Sequence, residues 1–140
     1  MMLEIYLIGK RTERARVEAS GLVDGFLEVP YKERDIDRLL GYHDRMAVIQ
    51  DKMFAVVGVH GTASGVSHYL HSRGYNGVSY VIPETALGAF QQLGFDIFFA
   101  EVDLPGMDCV EFARRLREMK KLKVGAAKVS GHVAICFDYL

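Results

Sequence analysis

Residues 96–116 read DIFFAEVDLPGMDCVEFARRL, and this stretch decides the fold class. Its apolar run at 96–102 predicts a buried strand, the Leu-Pro-Gly sequence at 104–106 predicts a tight turn, and the amphipathic segment after it predicts a helix. Glu101 lies near the carboxyl end of the strand, where α/β proteins place their binding and catalytic groups. The stretch therefore predicts an α/β fold and raises the question of what this carboxylate does.

The same alternation of apolar and amphipathic segments runs through most of the chain. The candidate strands are nearly continuous apolar runs, at residues 4–9, 25–29, 53–59, 77–82 and 96–102. The candidate helices have apolar residues three and four positions apart, at residues 12–20, 33–40, 62–74, 83–94 and 107–121. Such strands are typical of parallel sheets covered on both faces, and their alternation with helices predicts right-handed crossovers. We therefore predict a three-layer, open, mainly parallel sheet of the flavodoxin-like or receiver-like kind, with strands 53–59 and 96–102 adjacent and central.

Two segments interrupt this rhythm. Residues 123–140, KVGAAKVSGHVAICFDYL, form two β-like runs around Ser130 and Gly131 and predict a C-terminal hairpin that packs on the sheet or pairs with another chain. The sequence of residues 41–52 is flanked by polar residues and predicts either a connector or an extension of the preceding helix.

Composition narrows the classes of partner. The 140 residues suit one domain, and 17 basic against 18 acidic residues give a net charge of −1, which argues against nucleic acid as the main partner. No apolar run approaches the ~20 residues that span a bilayer, and no signal-peptide pattern is visible, so we expect a cytoplasmic protein without a membrane partner. Cys109 and Cys136 are far apart and show no metal-binding or redox spacing, so both are predicted to be reduced core residues.

Residues 96–117 resemble the middle of a receiver domain from the two-component response regulators, which has a strand ending in the phosphoacceptor Asp, a Pro-Gly turn and an amphipathic helix. The motifs that carry this resemblance are LPGMD at 104–108 and EFARRLR at 111–117. Residues 54–94 resemble the strand, loop, helix, strand and helix of the family's first half.

The segment that resembles the second half of the family's pattern precedes, along this chain, the segment that resembles the first half. Residues 5–40 resemble the fourth strand through the fifth helix, with DGFLEVPY at 24–31 in the place of the penultimate strand and its Lys-Pro motif. The resemblance therefore implies a circular permutation of one domain over residues 1–140, with 1–40 as the second half, 53–122 as the first and 123–140 as the hairpin. A doubly wound sheet that reads straight from residue 4 is the alternative.

The residues at the family's signature positions are altered. The phosphoacceptor position holds Glu101, and the two positions of the acidic pair hold Gly58 and Val59. The hydroxyl position holds Gly9, and the lysine position holds Val29. A carboxylate that attacks a phosphoryl group needs a metal ion and a cation to neutralise the crowded charge. The resemblance thus implies a degenerate pseudo-receiver without phosphotransfer, metal or cofactor. Glu101 is then either a permanently charged substitute for the acceptor or a strand-end carboxylate in solvent.

The segment VHGTASG at 59–65 is a glycine-rich turn between a predicted strand and a predicted helix. Free backbone N–H groups and the helix dipole favour anions at such a place, which makes His60, Gly61, Thr62 and Ser64 a candidate anion-binding turn. The segment lacks the phosphate-loop and dinucleotide patterns. A tight turn that simply requires glycine is the alternative reading.

Two pairs of side chains are candidate metal ligands. Glu101 and Asp103 flank the strand end, and His68 and His71 are three residues apart on a predicted helix. Two carboxylates on an exposed turn are usually solvated, and the histidine pair shows no third ligand in the sequence, so we predict no metal site.

Two functional hypotheses follow. The first is a non-catalytic signalling module that binds a protein partner or a second copy through Pro30, Tyr31 and the helix up to residue 40, or through the C-terminal hairpin; Tyr31 as an ordinary surface residue is the alternative. The second is a small α/β enzyme, or a ligand- or nucleotide-binding domain, that uses the crevice at the carboxyl ends of the strands. It predicts a pocket lined by residues 9–11, residues 60–64 and Glu101.

Overall fold

A computed structural model describes residues 3–41 and 52–130, with side chains described up to residue 121. The strands are β1 Glu4–Gly9, β2 Gly25–Glu28, β3 Met53–Val57, β4 Asn76–Tyr80 and β5 Ile97–Glu101. The helices are α1 Arg11–Ala19, α2 Glu33–Leu40, α3 Gly61–Ser72, α4 Pro83–Leu93 and α5 Cys109–Ser130. None of the described helices is both long enough and apolar enough to cross a bilayer.

The strands form one parallel sheet in the order β2-β1-β5-β3-β4. Strand β5 is central and pairs with β1 on one side and β3 on the other, as in the pairs Ile8–Glu101 and Val57–Ala100. Each of its residues from Ile97 to Glu101 is buried, because both neighbouring strands and both layers of helices cover it. The predicted α/β sheet is confirmed, and so is the prediction that β3 and β5 are adjacent and away from the edges.

The strand order matches that of a known sheet type when the strands are renumbered from β3. If β3 is counted as the first strand, followed by β4, β5, β1 and β2, the order becomes 2-1-3-4-5, which is that of the flavodoxin-like sheet. A sheet wound in that order straight from residue 4 would place β3 beside β1. Here β5 takes that place.

The two faces of the sheet carry separate apolar layers. Successive residues of a strand point to opposite faces, so Phe98 and Phe99 lie in different layers. Phe98 packs edge-on against Phe90 and Phe112, with ring centroids 5.4 and 6.0 Å away, in the layer formed by α1, α4 and α5. Phe99 packs against Tyr6 at 5.1 Å, in the layer formed by α2 and α3. The helices on both faces are therefore as predicted.

The structure differs from the sequence prediction at the C-terminal helix. Helix α5 continues to Ser130, so residues 123–130 are helical where the first run of a hairpin was predicted. Extending an existing helix adds one hydrogen bond per residue without a new nucleation cost, and lysine and alanine are good helix formers. The second run of the predicted hairpin, residues 131–140, and most of the predicted connector, residues 42–51, lie outside the described residues.

Candidate functional site

The side chain of Glu101 is buried at the carboxyl end of the central strand, with 2 % of its surface exposed. Its Oε1 accepts hydrogen bonds from the backbone N–H groups of Val59, at 2.8 Å, and His60, at 3.1 Å. Its Oε2 accepts one from the Thr62 hydroxyl at 2.5 Å and one from the Ala63 N–H at 3.2 Å. The carboxylate therefore has four donors, all from the β3–α3 connection and the first turn of α3.

These bonds explain how helix α3 begins. The first N–H groups of a helix have no partner within the helix, and the dipole makes this end favourable for negative charge. The N-cap residue, His60, makes no capping bond with its side chain. Glu101 supplies the missing acceptor from a strand about forty residues further along the chain. Its interpretation as a carboxylate in solvent is therefore wrong.

The candidate anion-binding turn is occupied by the protein's own carboxylate. His60 and Thr62 contact Glu101 directly, whereas no hydrogen bond joins Glu101 to Gly61 or Ser64 within the described contacts. The sequence identified the turn as suited to an anion. It gave no sign that the anion would come from β5, because strand pairing decides which side chain reaches the turn.

Gly58 provides the space that Glu101 uses. A Cβ atom on Gly58 would lie 2.3 Å from Glu101 Oε1, far closer than any real contact. The neighbouring Val59 contributes only its backbone N–H to the carboxylate, and its side chain is 48 % exposed. Gly58 and Val59, which the resemblance matches to the acidic pair of receivers, therefore provide the space that Glu101 fills and one backbone donor.

Tyr31 is linked to the same turn. Its hydroxyl donates a hydrogen bond to the Thr62 carbonyl oxygen at 2.6 Å, so Thr62 bonds to Tyr31 through its backbone and to Glu101 through its side chain. A Cβ atom on Gly65 would lie 2.4 Å from the Tyr31 hydroxyl, so this glycine is needed for the tyrosine to enter. Burial raises the pKa of Tyr31, and the charge of Glu101 raises that pKa further. Tyr31 is half-buried with its hydroxyl turned inward, while Pro30 is exposed.

The other two positions that the resemblance matches to the receiver signature are Gly9, at the end of β1, and Val29, just after β2. The Val29 N–H donates to the Gly9 carbonyl at 2.9 Å, which joins the ends of β1 and β2. A Cβ atom on Gly9 would lie 2.5 Å from Cγ2 of Val102, so a larger residue at this position would displace Val102 in the turn that follows β5. Neither position offers a hydroxyl or an ammonium group to the site.

A cleft of about 650 Å³ opens at the carboxyl ends of β1 and β5. Its lining includes several residues that the second hypothesis placed there, namely Gly9, Lys10, His60, Thr62 and Glu101. Arg11, Gly61, Ala63 and Ser64 are not among the lining residues.

Several ionisable groups around this cleft are paired with one another. His60 Nε2 lies 3.3 Å from Asp103 Oδ2 at the mouth of the cleft. Arg16 lies 3.2 Å from both Glu13 and Asp108. The cleft therefore has a polar rim with mixed charge rather than a single sign.

The candidate metal ligands do not converge. Glu101 faces the start of α3, whereas Asp103 is exposed and pairs with His60. His71 contacts the Gly77 carbonyl at 3.2 Å and packs on Phe54. Among the described residues, no three His, Cys, Asp or Glu side chains form a group that could hold a metal ion.

Cys109 is the first residue of α5 and is a buried free thiol. Burial and the charge of Asp108 raise its pKa, which disfavours the reactive thiolate. This agrees with its prediction as a reduced core residue. Cys136 lies outside the described residues.

Compared with protein-family models, with curated proteins and with solved structures, the chain gives no match.

Proposed function

We propose that this protein is a receiver-like module that acts by protein–protein contact, in which the phosphoacceptor position is permanently satisfied by internal hydrogen bonds. The observation that carries the proposal is the set of four donors on the two oxygens of Glu101. A carboxylate that attacks phosphorus needs a lone pair directed at its substrate. Here the donors hold both oxygens toward α3, so an attack would first have to break the cap of that helix.

The charge balance supports the same conclusion. A phosphoryl dianion next to Glu101 would need a metal ion and a cation, as in other phosphoryl-transfer sites. The matching positions hold Gly58, Val59 and Val29. Lys10 and Arg16 line the nearby cleft, but Arg16 is already paired with two carboxylates. The negative charge of an incoming phosphoryl group would therefore find few cations near Glu101 to neutralise it.

The sheet order also supports a receiver-like origin. Counted from β3, the strands have the 2-1-3-4-5 order of the flavodoxin-like sheet, which is what an exchange of halves predicts. In this frame Glu101 is at the end of the third strand and Pro30 follows the fifth. The proposed signalling role takes the surface of Pro30 and α2 as a contact face, with Tyr31 anchoring it to Thr62.

The experiment is incubation of the full chain with acetyl phosphate and Mg²⁺, followed by intact mass measurement. We expect no gain of about 80 Da, the mass of one phosphoryl group, on the wild type. We expect none on Glu101→Asp either, since the acceptor is only one of several altered positions. A functional receiver domain serves as the positive control. A gain on the wild type that disappears in Glu101→Gln would refute the proposal.

The cleft beside Glu101 favours a second candidate function, the binding of a small ligand. Its volume of about 650 Å³ is within the range of ligand pockets. Thermal unfolding in the presence of nucleotides and small anions tests this, since a ligand at 100 times its Kd stabilises a protein by about 2.7 kcal/mol. A shift of Tm that is lost in Lys10→Ala would favour this candidate over the first.

A further inference from the structure

We draw no further inference here: the strongest candidate, the uncharged outer edge of β4 with the exposed side chains of Val78, Val81 and Ile82 on and just after the strand, carries nothing, because no contact among the described residues shows what covers it.

Discussion

The carboxylate of Glu101 lies in the space that a side chain on Gly58 would need, since a Cβ atom there would be 2.3 Å from Glu101 Oε1. The two positions therefore constrain each other across neighbouring strands. An acidic residue at 58 and a glutamate bonded to α3 at 101 exclude one another. A glycine at position 58 is therefore required for Glu101 to keep its contacts with α3.

Gly58→Ala should lower the free energy of unfolding by about 1–3 kcal/mol, because the new methyl group forces Glu101 out of its four hydrogen bonds. Gly88→Ala is the control, since a Cβ atom there meets nothing within 4 Å and alanine favours the helix by up to ~1 kcal/mol. Urea unfolding measures both. If the cost at residue 58 arises from Glu101, the double variant with Glu101→Asp should cost less than the sum of the two single changes.

Glu101→Ala should destabilise the protein by roughly 2–4 kcal/mol, because it leaves the N–H groups of Val59, His60 and Ala63 without their charged acceptor. Amide exchange in the first turn of α3 should become faster. Asp103→Ala is the control, since that side chain is 87 % exposed and should change stability by less than about 0.5 kcal/mol. Equal stability of the two variants would show that the cap contributes little.

The pKa of Tyr31 should fall in Glu101→Gln, because the negative charge that helps to raise it is removed. It should stay above the ordinary value, since burial is the larger cause. Tyr80 is the internal control, because burial alone raises its pKa and the substitution should leave it unchanged. NMR of the tyrosine ring carbons between pH 8 and 12 measures both residues. An unchanged Tyr31 would contradict the electrostatic link.

The protein should lose stability in alkali through Tyr69. Burial and hydrogen bonds to Asp37 raise the pKa of Tyr69 to about 12, so the folded state keeps its proton where the unfolded chain loses it. This contribution is complete below pH ~10 and is lost as the pH rises to about 12.

Because the pKa of Tyr69 rises from 10.0 to about 12 on folding, the protonated Tyr69 contributes about 2–3 kcal/mol to the free energy of unfolding. Tyr69→Phe should be less stable than the wild type at pH 8 and should show a smaller decline between pH 10 and 12. Urea unfolding across this range measures the difference. Parallel curves for the two proteins would refute the assignment.

Local patterns in the sequence predicted much of the fold. The continuous apolar runs identified each described strand to within a few residues, and the spacing of apolar residues identified the helices, because these signals depend on neighbours along the chain. The same signals failed after residue 122, where α5 continues to Ser130. A valine-containing run next to an established helix can extend that helix, and local preference alone does not decide the outcome.

The sequence by itself thus determined the alternation of strands and helices and the anion-favouring turn at residues 59–65. The sequence also predicts that β3 and β5 are adjacent. Only the tertiary structure decided that β1 lies on the other side of β5, that Glu101 is buried, and that its carboxylate caps α3. The physical reason is distance along the chain. Glu101 and its donors are separated by 38 to 42 residues, and Tyr31 and Thr62 by 31. Such contacts form only when the strand order brings the ends of the parallel strands to one edge, and no periodicity in the sequence encodes that order.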